Sequence, residues 1–277
     1  MVIPTRWVDV NKGDKEHVVI RSRAVAQEPR RVSTLAADDV ANTFAATPPL
    51  EGFRSLISRM MSQSGNAEQV LGFYDISRAR FHSPVRRMIS IQPPREDTEI
   101  RTGCARLRKA MCGTRDAAQC FDAFCEATMK QLGFRVGDFS PCLHYHKERN
   151  IACYRHGDDF VPLGTREAQL WFHQALNKHM ICKHSGTLGP SKAKGDVQET
   201  QCLNRLIRFV QPPFKGEGAS YVEWELDPRH VEILLAAVNL KENSRPLGTP
   251  GIKPPKGSDE SILGPGDRAT YRPVTMG

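Results

Sequence analysis

The chain has no run of about 18 apolar residues, the length a membrane-spanning helix requires, so no membrane partner is expected. Its opening, MVIPTRWVDV, lacks the basic-then-apolar plan of a signal peptide. No C-x-x-C pair occurs among the eight cysteines, whose spacing is irregular. That removes the common zinc and redox signatures and leads us to expect reduced thiols in an intracellular chain, in cytoplasm or nucleus. There is no internal repeat. What is present in excess is positive charge: 39 Lys and Arg against 31 Asp and Glu, a net +8, with a pI near 9.2. Such a balance suits a polyanionic partner. A hydrophobic fraction of 39% and a mean hydropathy of −0.45 read as a soluble globular chain. Its 277 residues can bury one large core or two smaller ones.

The pattern along the chain predicts a hairpin about Asn11-Lys12-Gly13-Asp14, with Arg21 and Arg23 on one face of its second strand. An irregular connection is expected over 33–47. A helix follows, with Leu50, Phe53, Leu56, Ile57, Met60 and Met61 on its apolar stripe and Gly65 near its stop. QVLGFYD reads as a short apolar strand ending in Asp75, and RRMISIQPP as another that Pro93 and Pro94 halt. A helix with Thr114 as N-cap and Gly133 at its end comes next. A second hairpin turns at Glu148-Arg149-Asn150, and a helix is expected from Thr165 to about Cys182. CLNRLIRFV and SYVEWEL read as late strands, and Asp227-Pro228 opens a last helix. From Lys241 onward, six prolines and six glycines in 37 residues predict a mostly unstructured tail.

The chemistry concentrates in three acids. Asp158 and Asp159 follow Gly157 in a strand-to-strand turn, 83 residues after Asp75 ends its own strand. Gly-Asp is ordinary turn chemistry, but paired acids at a strand end also suit Mg²⁺, a hard ion that prefers oxygen. The order strand, strand, helix, strand-turn-strand predicts an α+β fold, a small antiparallel sheet backed by helices. If the Asp75 strand lies beside the hairpin, three carboxylates meet at one sheet edge, where two ions about 4 Å apart could be held. Cys142, His144 and His146, with Cys153 and His156 on the paired strand, could suggest zinc. Three ligands at every second position span about 13 Å, too far for one ion, and only a subset across the hairpin could serve.

IPTRWVDVNKGD with VIRSRAVAQE, DISRARF, CGTRDAAQCF with LGFRVGDFSPCLHYHKE, and HGDDFVPLG stand in one order. In that order the chain resembles copia-type retrotransposon reverse transcriptases, and HVEILLAAVNLKENSRPLGTPG extends the resemblance over roughly residues 2–251. The resemblance implies a fingers-and-palm polymerase fold over residues 1–250, with a short partial thumb or connection at about 200–250, and a Pro/Gly-rich tail over 251–277. It implies RNA-directed DNA synthesis from dNTPs on a primed RNA or DNA template, with two Mg²⁺ ions. Asp75 and Asp158 match its metal-binding acids, Asp159 their less tightly coordinating neighbour, and the Ile76 carbonyl a backbone ligand. Arg23 matches the arginine on the incoming triphosphate, with Arg21 a basic position beside it, and Gly113 a tight turn before the template-strand helix. The departures are Arg80, where the family places an aromatic under the sugar, His156 for a tyrosine, and Cys112 and Phe121 for a tyrosine and a tryptophan. These departures leave an alternative to the polymerase, a decayed copy that only binds nucleic acid. Gly-Asp-Asp is also typical of RNA-dependent RNA polymerases, but those usually carry an acid where Arg80 stands.

Overall fold

The computed structural model describes residues 2–29, 43–62, 68–97, 103–212, 218–225, 228–237, 240 and 244. Most of the expected connection over 33–47, the stop at Gly65, the cap at Asp227 and nearly all of the tail lie outside them. The described residues form two compact units, one of residues 1–198 and 211–221 and one of 199–210 and 222–277.

The strands, in chain order, are β1 (Val2–Ile3), β2 (Thr5–Asn11), β3 (Ile20–Ala26), β4 (Val70–Ile76), β5 (Ser90–Ile91), β6 (Ala105–Arg106), β7 (Arg135–Val136), β8 (Leu143–His146), β9 (Ile151–His156), β10 (Asp159–Gly164), β11 (Cys182–Leu188), β12 (Glu199–Cys202), β13 (Arg205–Val210) and β14 (Tyr221–Trp224). The helices are α1 (Leu50–Ser62), α2 (Ala117–Gln131), α3 (Arg166–Asn177) and α4 (Pro228–Ala237). Six strands make the central sheet in the order β11-β4-β10-β9-β8-β7, antiparallel throughout. The fold is therefore mixed α and β, with an antiparallel sheet carrying helices.

Alternation along each strand sends successive side chains to opposite faces. Tyr74, Ile76, Cys153, Phe160 and Cys182 meet Phe121, Cys125 and Met129 of α2 and Phe172 and Leu176 of α3 in one buried cluster. Phe160 and Phe172 are fully buried, each a contribution of about 1.5–3 kcal/mol. Helix α1 takes the other face, its Phe53 ring 5.4 Å from that of Tyr154. Because both faces are covered, β4 is apolar almost throughout instead of alternating.

The β2–β3 hairpin has the expected strands but not the expected tight turn. Its ladder closes at the Asn11–Ile20 pair. The Asn11 side chain accepts the amides of Gly13 and Val19, and Asp14 those of Glu16 and His17, so side chains replace ladder bonds in a longer tip. RRMISIQPP yields only the two residues of β5, which pair with β1 and β6. Helix α2 begins after Asp116, not Thr114. The Thr114 hydroxyl donates to the Met111 carbonyl, and the Asp116 carboxylate is taken by Arg87, so neither caps the helix. Helix α3 starts at Thr165 as expected, with the Thr165 hydroxyl as its cap, but ends at Asn177, whose side-chain oxygen accepts the Cys182 amide and turns the chain into β11.

The foot of the hairpin is fastened to the body. Ala26 donates to the Cys112 carbonyl at 2.8 Å. Gly113 has φ 93°, and a Cβ there would lie 1.9 Å from the Ala26 oxygen, so glycine is required twice over. Beside it Arg87 grips both Glu28 oxygens, at 2.8 and 2.5 Å, and both Asp116 oxygens, at 3.1 and 3.0 Å. Ile3, Ala26, Ile89, Ile91 and Met111 form a small core around this foot.

In the second unit, Arg208 of β13 is paired with Glu199 and Glu225. All eight cysteines are free thiols.

Candidate functional site

Strand β4 sits between β11 and β10, and its penultimate residue, Asp75, pairs with Lys183 on one side and Asp159 on the other. Directly opposed residues of an antiparallel ladder project to the same face. Asp75, Asp159, Lys183 and, opposite Asp159, His156 therefore share the α1 face at the end of the sheet. Gly157 and Asp158 make the two-residue turn between β9 and β10. Gly157 has φ 62° with nothing within 4 Å of a built Cβ, so it serves the turn's backbone conformation and not a lack of space. The Ile76 amide donates to the Asp158 carbonyl at 3.0 Å, tying the turn to the end of β4.

The result is a cleft of about 730 Å³ whose lining includes Arg21 and Arg23 of β3, Asp75 and Ile76 of β4, Arg78 and Arg80 just beyond, Cys112, Asp158 and Lys183. Of Arg21, Arg23, Asp75, Ile76, Arg80, Gly113, Asp158 and Asp159, the candidate site residues of the sequence, six line it. Asp159 does not line it and faces Asp75 across the ladder, while Gly113 holds the backbone of Ala26 from behind. Five cationic side chains against two carboxylates make the cleft an anion-accepting space, with the acids gathered at its sheet end.

Arg80 lies in the 3-10 turn Ala79–His82, entered through Arg78 in the left-handed region at φ 55°. Its guanidinium sits 5.3 Å from the centre of the Phe121 ring. Two of the residues that depart from the resemblance thus meet in a cation–π contact, and the cation is held by the ring.

Asp159 carries the electrostatic record of the cluster. Burial, and then the charges of Asp158 and Asp75, push its carboxyl up to about 6. The folded protein holds that proton more tightly than the unfolded chain, so this group favours folding below the ordinary carboxylate range, and that contribution is lost as pH rises through about 6. Asp159→Asn should therefore exceed wild type in stability by about 1–2 kcal/mol above about pH 7, since the carboxyl keeps part of its solvent contact, and match it below about pH 4. Urea denaturation of both proteins across that range checks the crossover.

Among the described residues, no three His, Cys, Asp or Glu side chains form a ready-made metal sphere. The donor set still fits Mg²⁺, which takes one or two protein carboxylates and completes its shell with water and phosphate oxygens. His144 and His146 of β8 are both buried. His144 is buried with both ring nitrogens unpartnered, and burial with the nearby Arg155 charge pushes its pKa down to about 4. His146 packs between Phe134 and Trp171.

Sequence reasoning missed Lys183 because it missed β11, a half-exposed edge strand whose polar residues give no apolar run. It also missed Arg155, which lies three residues before Asp158 on the face opposite the acids.

No protein-family model and no curated protein matches the chain. Among solved structures it is similar to the RNA-dependent RNA polymerase from bacteriophage phi12, with a TM-score of 0.38 and 10% identity, over 86% of this chain and 49% of that one. The chain thus spans about half the length of that polymerase.

Proposed function

We propose that the cleft is a nucleotidyl-transfer site and the chain the polymerase domain of a copia-type retrotransposon reverse transcriptase. It would join a dNTP to a primer 3′-hydroxyl on an RNA or DNA template. The observation that carries this reading is the placement of Asp75 and Asp158 in one cleft with Arg21, Arg23, Arg78, Arg80 and Lys183. Two Mg²⁺ ions bound by Asp75, Asp158 and Asp159, with the Ile76 carbonyl, would lower the pKa of the attacking hydroxyl and neutralise the leaving pyrophosphate. Arg23 and Arg21 suit the triphosphate, since a guanidinium meets phosphate oxygens in pairs. Lys183, opposite Asp75, adds a point charge on the other side of the acids. Gly113 keeps the arginine-bearing strand against the body.

A second reading, a decayed copy that only binds nucleic acid, is favoured by Arg80, whose guanidinium lies over Phe121 where a flat wall for the sugar is expected. Primer extension on an RNA template with Mg²⁺ separates the two. The first reading predicts extension with dNTPs and weak discrimination against ribonucleotides, because no ring rejects the 2′-hydroxyl. Binding without extension would support the second, and neither binding nor extension would overturn both. Extension confined to ribonucleotides would point to an RNA-dependent RNA polymerase.

Both readings require affinity carried by phosphate contacts. If the cleft cations neutralise about three phosphates, affinity for a primer–template should fall about 40-fold between about 50 and 200 mM salt. Titrations by fluorescence anisotropy at several salt concentrations measure the slope, and a flat dependence would assign the basic excess to solvated surface.

A further inference from the structure

The face of β9 that meets α2 is apolar except at one position. Arg155 is 2% exposed, opposite Phe160 and in line with Cys153. Burying a guanidinium is costly, and a well-packed apolar residue in its place is often as stable or more so, so stability alone does not account for an arginine here. Its contacts run to α2, to the Cys142 sulfur and to the acid turn. One terminal nitrogen pairs with Asp122 of α2 at 2.5 Å, and the other donates to the Gly157 carbonyl at 3.4 Å. Asp122 is itself held by the Ala46 amide at 3.0 Å. A buried arginine and a half-buried aspartate thus link α2 to the backbone of the residue before Asp158.

We propose that Arg155, anchored by Asp122, is a positioning residue that fixes the Gly157–Asp158 turn against the end of β4. The inference rests on the reading of Asp158 as a site residue, but the placement of the turn can be measured without activity. The Ile76 amide, bonded to the Asp158 carbonyl, reports whether the turn is docked.

The test compares hydrogen exchange of that amide in the whole chain, without metal or nucleotide, for wild type and R155M/D122N. The double variant removes both charges together and leaves no unpaired charge inside. It should fold with little change in Tm and keep wild-type exchange at the far end of the ladder, around Leu71 and Leu163. The Ile76 amide should exchange at least about tenfold faster, and any primer extension should need more Mg²⁺. Wild-type exchange at Ile76 in the folded double variant would overturn the proposal. Should that variant fail to fold, Arg155→Lys, which keeps the charge but loses the fork that reaches both Asp122 and Gly157, gives the same readout: faster exchange at Ile76 supports the proposal, and an unchanged rate overturns it. If wild type extends no primer, the polymerase reading falls while the exchange result still decides for or against the positioning of the turn.

Discussion

Replacing Asp158 with asparagine is expected to cut primer extension by about three orders of magnitude, about 4 kcal/mol of transition-state stabilisation. The turn keeps its backbone, because Gly157 sets the conformation and the Ile76 amide bonds to the Asp158 carbonyl, which asparagine retains. Asp158 is exposed, and among the described residues its carboxylate makes no hydrogen bond or ion pair, so stability should move by no more than about 0.5 kcal/mol. What is lost is one negative charge in a cleft with five cationic side chains. Template binding should therefore hold or tighten while turnover collapses, a split that a folding defect cannot produce. Asp75→Asn should behave alike. Single-turnover extension, with anisotropy for binding and a thermal melt for folding, separates the three quantities. Equal loss of binding and turnover would argue that the acid serves structure.

Arg87→Met is expected to produce the largest loss of stability, about 3–5 kcal/mol, because it removes the cation that faces two buried carboxylates. The Glu28 side chain is fully buried and that of Asp116 is 7% exposed, and Arg87 neutralises both. For a unit of this size that corresponds to a fall in Tm of about 6–20 °C. Arg86, one residue earlier, is exposed and its guanidinium bonds Gln119, and Arg86→Met should cost less than about 1 kcal/mol. Thermal and urea melts of the pair make the comparison, and similar losses would show that Arg87 is no anchor. Because the clamp stands at the foot of the hairpin bearing Arg21 and Arg23, the surviving Arg87→Met protein should also need more dNTP to reach half-maximal rate.

What could be read from the sequence was what local pattern determines. The first hairpin, the strand that brings Asp75 to its end, helix α1 and the Gly157–Asp158 turn all announce themselves within about ten residues. The α+β class followed from their order. What stayed hidden depends on partners distant in sequence. Asp116, not Thr114, precedes α2, and its carboxylate makes no cap because Arg87, 29 residues earlier, takes it. The strand holding Lys183 forms because β4 offers it an edge, which nothing in CKHSGTL announces. Arg155 looks like an exposed strand residue until α2 supplies Asp122. Likewise, Arg80 and Phe121 read as two separate departures from a family pattern, and only the fold lays one upon the other.

In the proposed function, Asp75 and Asp158 hold a divalent ion in the cleft between β3 and the end of the sheet. Crystals of the protein grown with Mn²⁺ in place of Mg²⁺, together with a non-hydrolysable dNTP, test it through the anomalous signal of the metal. The expected result is a peak about 2.0–2.2 Å from oxygens of both carboxylates, with the triphosphate toward Arg21 and Arg23. A peak held by other residues, or the two carboxyl groups more than about 10 Å apart around an ordered nucleotide, would contradict it, since ions about 4 Å apart could not bridge that gap.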